Sequence, residues 1–94
     1  MAAVSKTITA QNTFTDPLRV SGKKILGLSI TSTALSATVV LQRRRADADA
    51  WGDVASFTAN SEKIVESWGS WQYRAGVKTG GFTSATALVV TLSF

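Results

Sequence analysis

The sequence predicts an all-β domain, a single small antiparallel β-sandwich. Three observations carry this. From Ser36 to Phe94, four segments of alternating or continuous apolar character are broken at regular intervals by Gly, Asp, Asn and Ser clusters. No long stretch has the helical period. And 45% hydrophobic residues supply core material for a chain of only 94 residues, the size of one domain.

Taken in order, Lys6 to Ala10 reads as a short first strand around Ile8, followed by a turn at Gln11-Asn12-Thr13. Phe14 to Val20 holds the single proline, Pro17, and reads as an irregular connection or an edge strand, because proline cannot donate a ladder hydrogen bond. After a turn at Ser21-Gly22, Ile25 to Ser32 is a strand with Leu26, Leu28 and Ile30 on its core side and Gly27, Ser29 and Thr31 opposite. Thr33 to Ser36 connects it to a strand over Ala37–Arg43, with Val39 and Leu41 on one face and Val40 on the other; these two strands are expected to pair as a hairpin.

The polar stretch from Arg44 to Gly52 is a loop, its Asp47-Ala48-Asp49-Ala50 section a half-turn of helix or a hairpin tip. Asp53 to Thr58 and Lys63 to Trp68 read as short strands separated by a turn at Ala59-Asn60-Ser61, with a further turn at Gly69-Ser70. Trp71, Tyr73, Ala75 and Val77 then alternate with Gln72, Arg74, Gly76 and Lys78, which predicts one buried and one wet face. Gly80-Gly81 signals a hairpin of the kind that tolerates positive φ, and Thr86 to Phe94 closes the chain with Leu88, Val90, Leu92 and Phe94 on one side. The sum is seven to eight strands in a sandwich of Ig-like or jelly-roll-like type, with Met1 to Ser5 a flexible N-terminal arm reaching a neighbour.

Composition narrows function by exclusion. There is no His and no Cys, so disulfides, cysteine-rich zinc sites and the His- or Cys-based nucleophilic sites lack their residues. An EF-hand-type calcium loop starting at Asp47 has its third ligand in Asp49 and its glycine in Gly52, but Trp51 stands at the fifth position and Thr58 where the bidentate acid belongs. A phosphate loop ending at Gly22-Lys23 has Pro17 where its first glycine should be. Glu62 and Glu66 could pair as glycosidase carboxylates or simply face solvent. No enzymatic activity, cofactor or metal is expected. The N-terminus lacks the apolar run of a secretory signal and no window is apolar enough for a membrane span, so the expectation is a soluble protein made in a cytoplasm, with no membrane partner.

Candidate binding residues remain. The net charge of +4 is spread along the chain except at Arg43-Arg44-Arg45, which is either a solvated strand end that discourages edge pairing or a site for an acidic partner surface or a phosphate backbone. Asp47 and Asp49 offset those arginines across the loop. Trp71 and Tyr73 belong to the core, on the face shared with Ala75 and Val77; Trp51 and Trp68 are lids on the core or contact surface, where sugar rings or proteins would stack. A small cysteine-free domain with 17% charged residues also favours self-assembly.

The run Val40-Leu41-Gln42-Arg43-Arg44, then Ala50-Trp51-Gly52-Asp53-Val54-Ala55-Ser56-Phe57-Thr58, Glu62-Lys63 and Gln72-Tyr73-Arg74-Ala75-Gly76-Val77-Lys78-Thr79-Gly80-Gly81-Phe82-Thr83-Ser84-Ala85-Thr86 resembles small structural proteins of tailed bacteriophages. The likeness is one of strand and turn residues, over about the last 55 positions, and departs from the pattern at Arg44-Arg45-Ala46. It implies a β-sandwich module of the virion, a head decoration or cement protein or a part of a fibre or tail, often trimeric. The implied partners are further copies of the chain and the major capsid protein or another virion protein, the implied location the virion, assembled in the host cytoplasm. A carbohydrate-recognition or receptor-binding module of a tail or fibre is the alternative, with glycan as ligand; a nucleic-acid partner is the weakest of the three.

Overall fold

In a computed structural model, residues 2–94 are described, with side chains at all of them save 34, 35, 85 and 86. The described chain is all β: β1 (Ala3–Thr7), β2 (Thr13–Phe14), β3 (Leu18–Val20), β4 (Lys24–Thr31), β5 (Ala34–Arg44), β6 (Gly52–Phe57), β7 (Ser61–Ser67), β8 (Trp71–Thr86) and β9 (Val89–Ser93). They form two antiparallel sheets, one in the order β1-β9-β4-β7 and the other β2-β8-β5-β6, with β3 also on the free edge of β8. β2 and β3 lie along the same neighbour and are separated by the segment holding Pro17, so they are two halves of one interrupted strand. Counted that way there are eight strands, and their order is that of a jelly roll, the second of the two sandwich types expected.

The core is the space between the sheets. Leu26, Leu28 and Ile30 of β4 and Val90 and Leu92 of β9 meet Val39 and Leu41 of β5 and Tyr73, Ala75 and Val77 of β8, all of them buried. Val20 and Leu18 extend it along β3, and Ile8 and Leu88 close one end, tied by Ile8 N–H to the Leu88 carbonyl at 2.9 Å. Inside this core the Tyr73 hydroxyl pairs with Ser67 Oγ at 3.0 Å. Phe94 packs on the core and its backbone exchanges hydrogen bonds with Ala2, so the last residue is part of the fold.

Four expectations are corrected. β4 and β5 do not pair: they lie in different sheets, since each needs its apolar row covered and facing each other across the core covers both. Gly80-Gly81 is not a hairpin. β8 runs on to Thr86, and Thr38 alone on β5 stands opposite Lys78, Thr79, Gly80 and Gly81, a large bulge that uses the positive φ of Gly80 (+84°) to kink the strand. The chain reverses instead at Ala87 (φ +53°), where it crosses between the sheets. Ala3, Val4 and Ser5 are not an arm: they are laid in register against Ser93, Leu92 and Thr91 of β9. Finally, the face of β8 bearing Gln72, Arg74 and Gly76 is not wet, because other parts of the chain cover it.

Candidate functional site: the arginine and tryptophan end of the second sheet

β5 and β6 are joined by the tip from Arg45 to Trp51, closed by the Asp49 N–H to the Ala46 carbonyl at 3.0 Å. Near this tip, Gln42 and Arg44 of β5 stand directly opposite Arg74 and Gln72 of β8. Each pair is bonded the same way. Arg74 Nε donates to Gln42 Oε1 at 2.8 Å, and Gln42 Nε2 donates to Asp53 Oδ1 at 2.8 Å. Arg44 Nε donates to Gln72 Oε1 at 2.8 Å, and Gln72 Nε2 donates to Asp47 Oδ1 at 2.6 Å. Two glutamines, 4% and 6% exposed, are thereby satisfied at both amide atoms.

This polar layer has an aromatic cover. The Arg74 guanidinium lies 3.9 Å from the Phe14 ring centroid and 4.5 Å from that of Trp51, and Arg44 lies 4.3 Å from Trp51. The tip folds Trp51 back over the sheet, while β2 delivers Phe14 at the closest approach of two backbones, over Gly76. Burial, and secondarily the charge of Arg44, lowers the pKa of Arg74, though a guanidinium stays protonated under any folding condition. Asp53 accepts from Gln42 and from Lys78 Nζ at 3.0 Å, and these hydrogen bonds, that from Gln42 foremost, hold its carboxyl below the usual carboxylate range.

Around the strand end, Arg43 and Arg45 take a different course. Both guanidiniums lie 4.0 Å from the Trp71 ring centroid. Trp71 is fixed from behind, its Nε1 donating to the Trp68 carbonyl at 2.9 Å. An open cleft of about 430 Å³ runs here, lined by Arg43, Arg44, Arg45, Asp49, Asp53 and Trp71 together with Ala50 and Gly52.

Of the sequence candidates, Arg43, Arg44, Arg45 and Asp49 therefore share one cleft. Asp47 and Trp51 are drawn into the polar layer behind it, Asp47 also reaching Arg44 Nη2 at 3.8 Å. Trp68 stands apart, 60% exposed, with Lys23 Nζ 4.7 Å from its ring. The sequence reading missed Gln42, Gln72, Arg74 and Phe14; Trp71, read as core, does pack against the core but is only partly buried and carries two arginines. The signal for the glutamines and arginines was their offset by two along each strand, which places them on one face, but register between β5 and β8 is not readable from spacing alone.

Asp47 is engaged by Gln72 and Arg44, and among the described residues no group of three acidic side chains converges for a metal. Glu62 and Glu66 lie four residues apart on one face of β7, and Glu62 Oε1 accepts from Ser29 Oγ at 2.8 Å. No helix among the described residues is long and apolar enough to cross a membrane. Comparison with protein-family models, curated proteins and solved structures found no match.

Because the guanidiniums of Arg44 and Arg74 both lie over Trp51, its loss should cost stability. Trp51→Ala is expected to lower folding free energy by about 2 kcal/mol, the loss of two partly desolvated cation–π contacts and of cover over the glutamines. Thermal melting by circular dichroism measures it; an unchanged midpoint would show the ring to be a surface platform instead.

Proposed function

We propose that this chain is a non-enzymatic structural protein of a phage virion, a decoration or cement module that associates with itself, a trimer being the favoured state, and binds the major capsid protein or another virion surface. The observation that supports this best is the strand order: the jelly roll recurs in viral capsid and lectin domains, where rigid faces and fixed loops act as binding surfaces. The likeness of fold is an analogy, and the surfaces must carry the rest. They offer two unlike patches.

One is the arginine and tryptophan cleft. The other is the outer face of the first sheet, where small side chains (Ser5, Thr91, Gly27, Ser29, Ser93) form a flat floor beside Ile25 and Ile64, 61% and 76% exposed. Ile64 stands directly opposite Gly27 and diagonal to Ile25, so the two isoleucines make one small apolar ridge, flanked on β7 by Glu62 and Glu66. A ridge on a flat floor of small side chains gives copies of one chain a surface on which to bury apolar area against each other.

Size-exclusion chromatography with light scattering, followed by mixing with purified virions lacking the protein, tests the proposal. An oligomer that coats such particles supports it, and a monomer that leaves them bare counts against it. Ile64→Lys is expected to reduce the oligomer to monomer with the melting behaviour of the isolated fold intact, since the side chain makes no core contact. Retention of the oligomer would place the self-contact elsewhere. The carbohydrate reading turns on Trp68, which is 60% exposed but has Lys23 Nζ 4.7 Å from its ring, because Arg44 and Arg74 already lie over Trp51.

A further inference from the structure

The three consecutive arginines have different roles. Arg44 turns into the sheet, where Gln72, Asp47 and Trp51 occupy it. Arg43, near the end of β5, and Arg45, the first residue of the tip, both turn instead to Trp71. Among the described residues the ion pairs are Arg44 with Asp47 and Lys78 with Asp53, so neither Arg43 nor Arg45 is matched by a carboxylate. Two long cationic side chains would ordinarily sample many rotamers. Here one indole holds both, and that indole is itself anchored by its hydrogen bond to Trp68. The ordering that a ligand would otherwise impose is already in place.

We propose that the cleft formed by Arg43, Arg45 and Trp71 binds the side-chain carboxylates of an acidic polypeptide segment. Each guanidinium presents a planar fork of N–H donors that matches a carboxylate in two parallel hydrogen bonds. A nucleic-acid backbone shares the negative charge but fits the surroundings poorly. Binding a strand requires a continuous basic track and free aromatic faces for the bases. At this end Asp47, Asp49 and Asp53 interrupt the track, and the rings of Trp51 and Trp71 are already stacked with arginine. Isolated carboxylates spaced along a peptide can meet the two forks while avoiding Asp49. The inference rests on the reading of the chain as a surface-binding module, and names the chemistry of the surface it binds.

Titration of the full isotope-labelled chain with a hexaglutamate peptide, followed by NMR, tests it. Saturable shifts are expected at the Trp71 indole N–H and the Arg43 and Arg45 Nε–H signals. In the double variant Arg43→Gln/Arg45→Gln the affinity should fall by about tenfold or more, the consequence of losing charge-assisted hydrogen bonds, while the remaining amide spectrum reports an intact fold. Arg43→Lys/Arg45→Lys should bind more weakly than the native chain, because the charge remains and the fork does not. Absence of shifts, undiminished binding by the glutamine variant, or equal binding by the lysine variant would each overturn the proposal. So would tighter binding of a single-stranded oligonucleotide of matched charge, which would make this a phosphate site. A chain that leaves virions bare yet shows the hexaglutamate shifts loses the virion reading and keeps the cleft.

Discussion

Gly76→Ala is expected to destabilise the fold by about 3 kcal/mol, the upper range for forcing atoms into a packed site, and to lower the melting midpoint by roughly 15 °C. A methyl group there would meet the backbone of β2 directly: its nearest neighbours are the Thr13 carbonyl oxygen and Phe14 Cα, the latter 2.5 Å away, with Phe14 Cδ2 at 2.9 Å. Two of these are main-chain atoms, so no rotamer change relieves the contact. β2 would have to lift from β8, and with it would go Phe14 from Arg74 and the bond from Thr15 N–H to the Ala75 carbonyl at 2.9 Å. The backbone conformation itself is ordinary at this glycine, so the whole penalty is steric. Melting by circular dichroism checks the prediction, and a midpoint within a degree or two of the native chain would mean that β2 does not sit so close.

Gly76 also shows where the sequence was legible and where it was not. In the alternation from Trp71 to Val77, the odd residues Tyr73, Ala75 and Val77 are buried as the period of two demands, and Leu26, Leu28 and Ile30 behave likewise. Those rows depend only on the pleat, which is local. The even residues read as solvent-facing because Gln, Arg and Lys are polar types, yet Gln72 and Gly76 are buried. What covers them comes from far along the chain, Phe14 from one side and Trp51 from the other, and a single sequence does not specify such long-range placement. The same limit explains the strand pairing. That Ile25 to Ser32 and Ala37 to Arg43 are strands follows from pattern; that they face each other across the core depends on which neighbours each recruits. Gly80-Gly81 was read as a hairpin that tolerates positive φ, and Gly80 does adopt it, but a kink within a strand and a reversal between strands make the same demand of a glycine.

Of the candidate site, the arginine cluster and the loop acids were visible as a charge pattern, and four of them do line one cleft. Their division of labour was not. Whether an arginine on a strand turns inward or outward is fixed by the parity of its position relative to the core row, and Leu41 sets that parity for Arg43. Arg44 then falls on the opposite face, where Gln72 awaits it only because β8 pairs with β5 in this register.

That division leads to the second large effect. Arg74→Ala is expected to cost about 2 to 3 kcal/mol of stability while leaving recognition by Arg43 and Arg45 in place. The guanidinium is the one side chain that touches Phe14, Trp51 and Gln42 at once. Its removal takes away two cation–π contacts and strips Gln42 Oε1 of its donor in a residue 4% exposed, each a loss on the order of 1 kcal/mol. The cost is not higher, because removing Arg74 also ends the burial of a charged guanidinium and, secondarily, its repulsion with Arg44, the two causes that lower its pKa in the native fold. Lysine would restore the charge but neither the planar stacking on two rings nor the directed bond across the strands to Gln42, so Arg74→Lys should recover less than half of the loss. A double-mutant cycle with Trp51→Ala isolates the stack: a coupling of about 1 kcal/mol between the two sites is expected, since they are in direct contact. Strict additivity would mean that Arg74 acts through Gln42 and Phe14 alone. If instead Arg74→Ala kept full stability but abolished the hexaglutamate shifts at Trp71, the layer behind the cleft would be part of the binding site, and the separation of scaffold arginines from ligand arginines would fall.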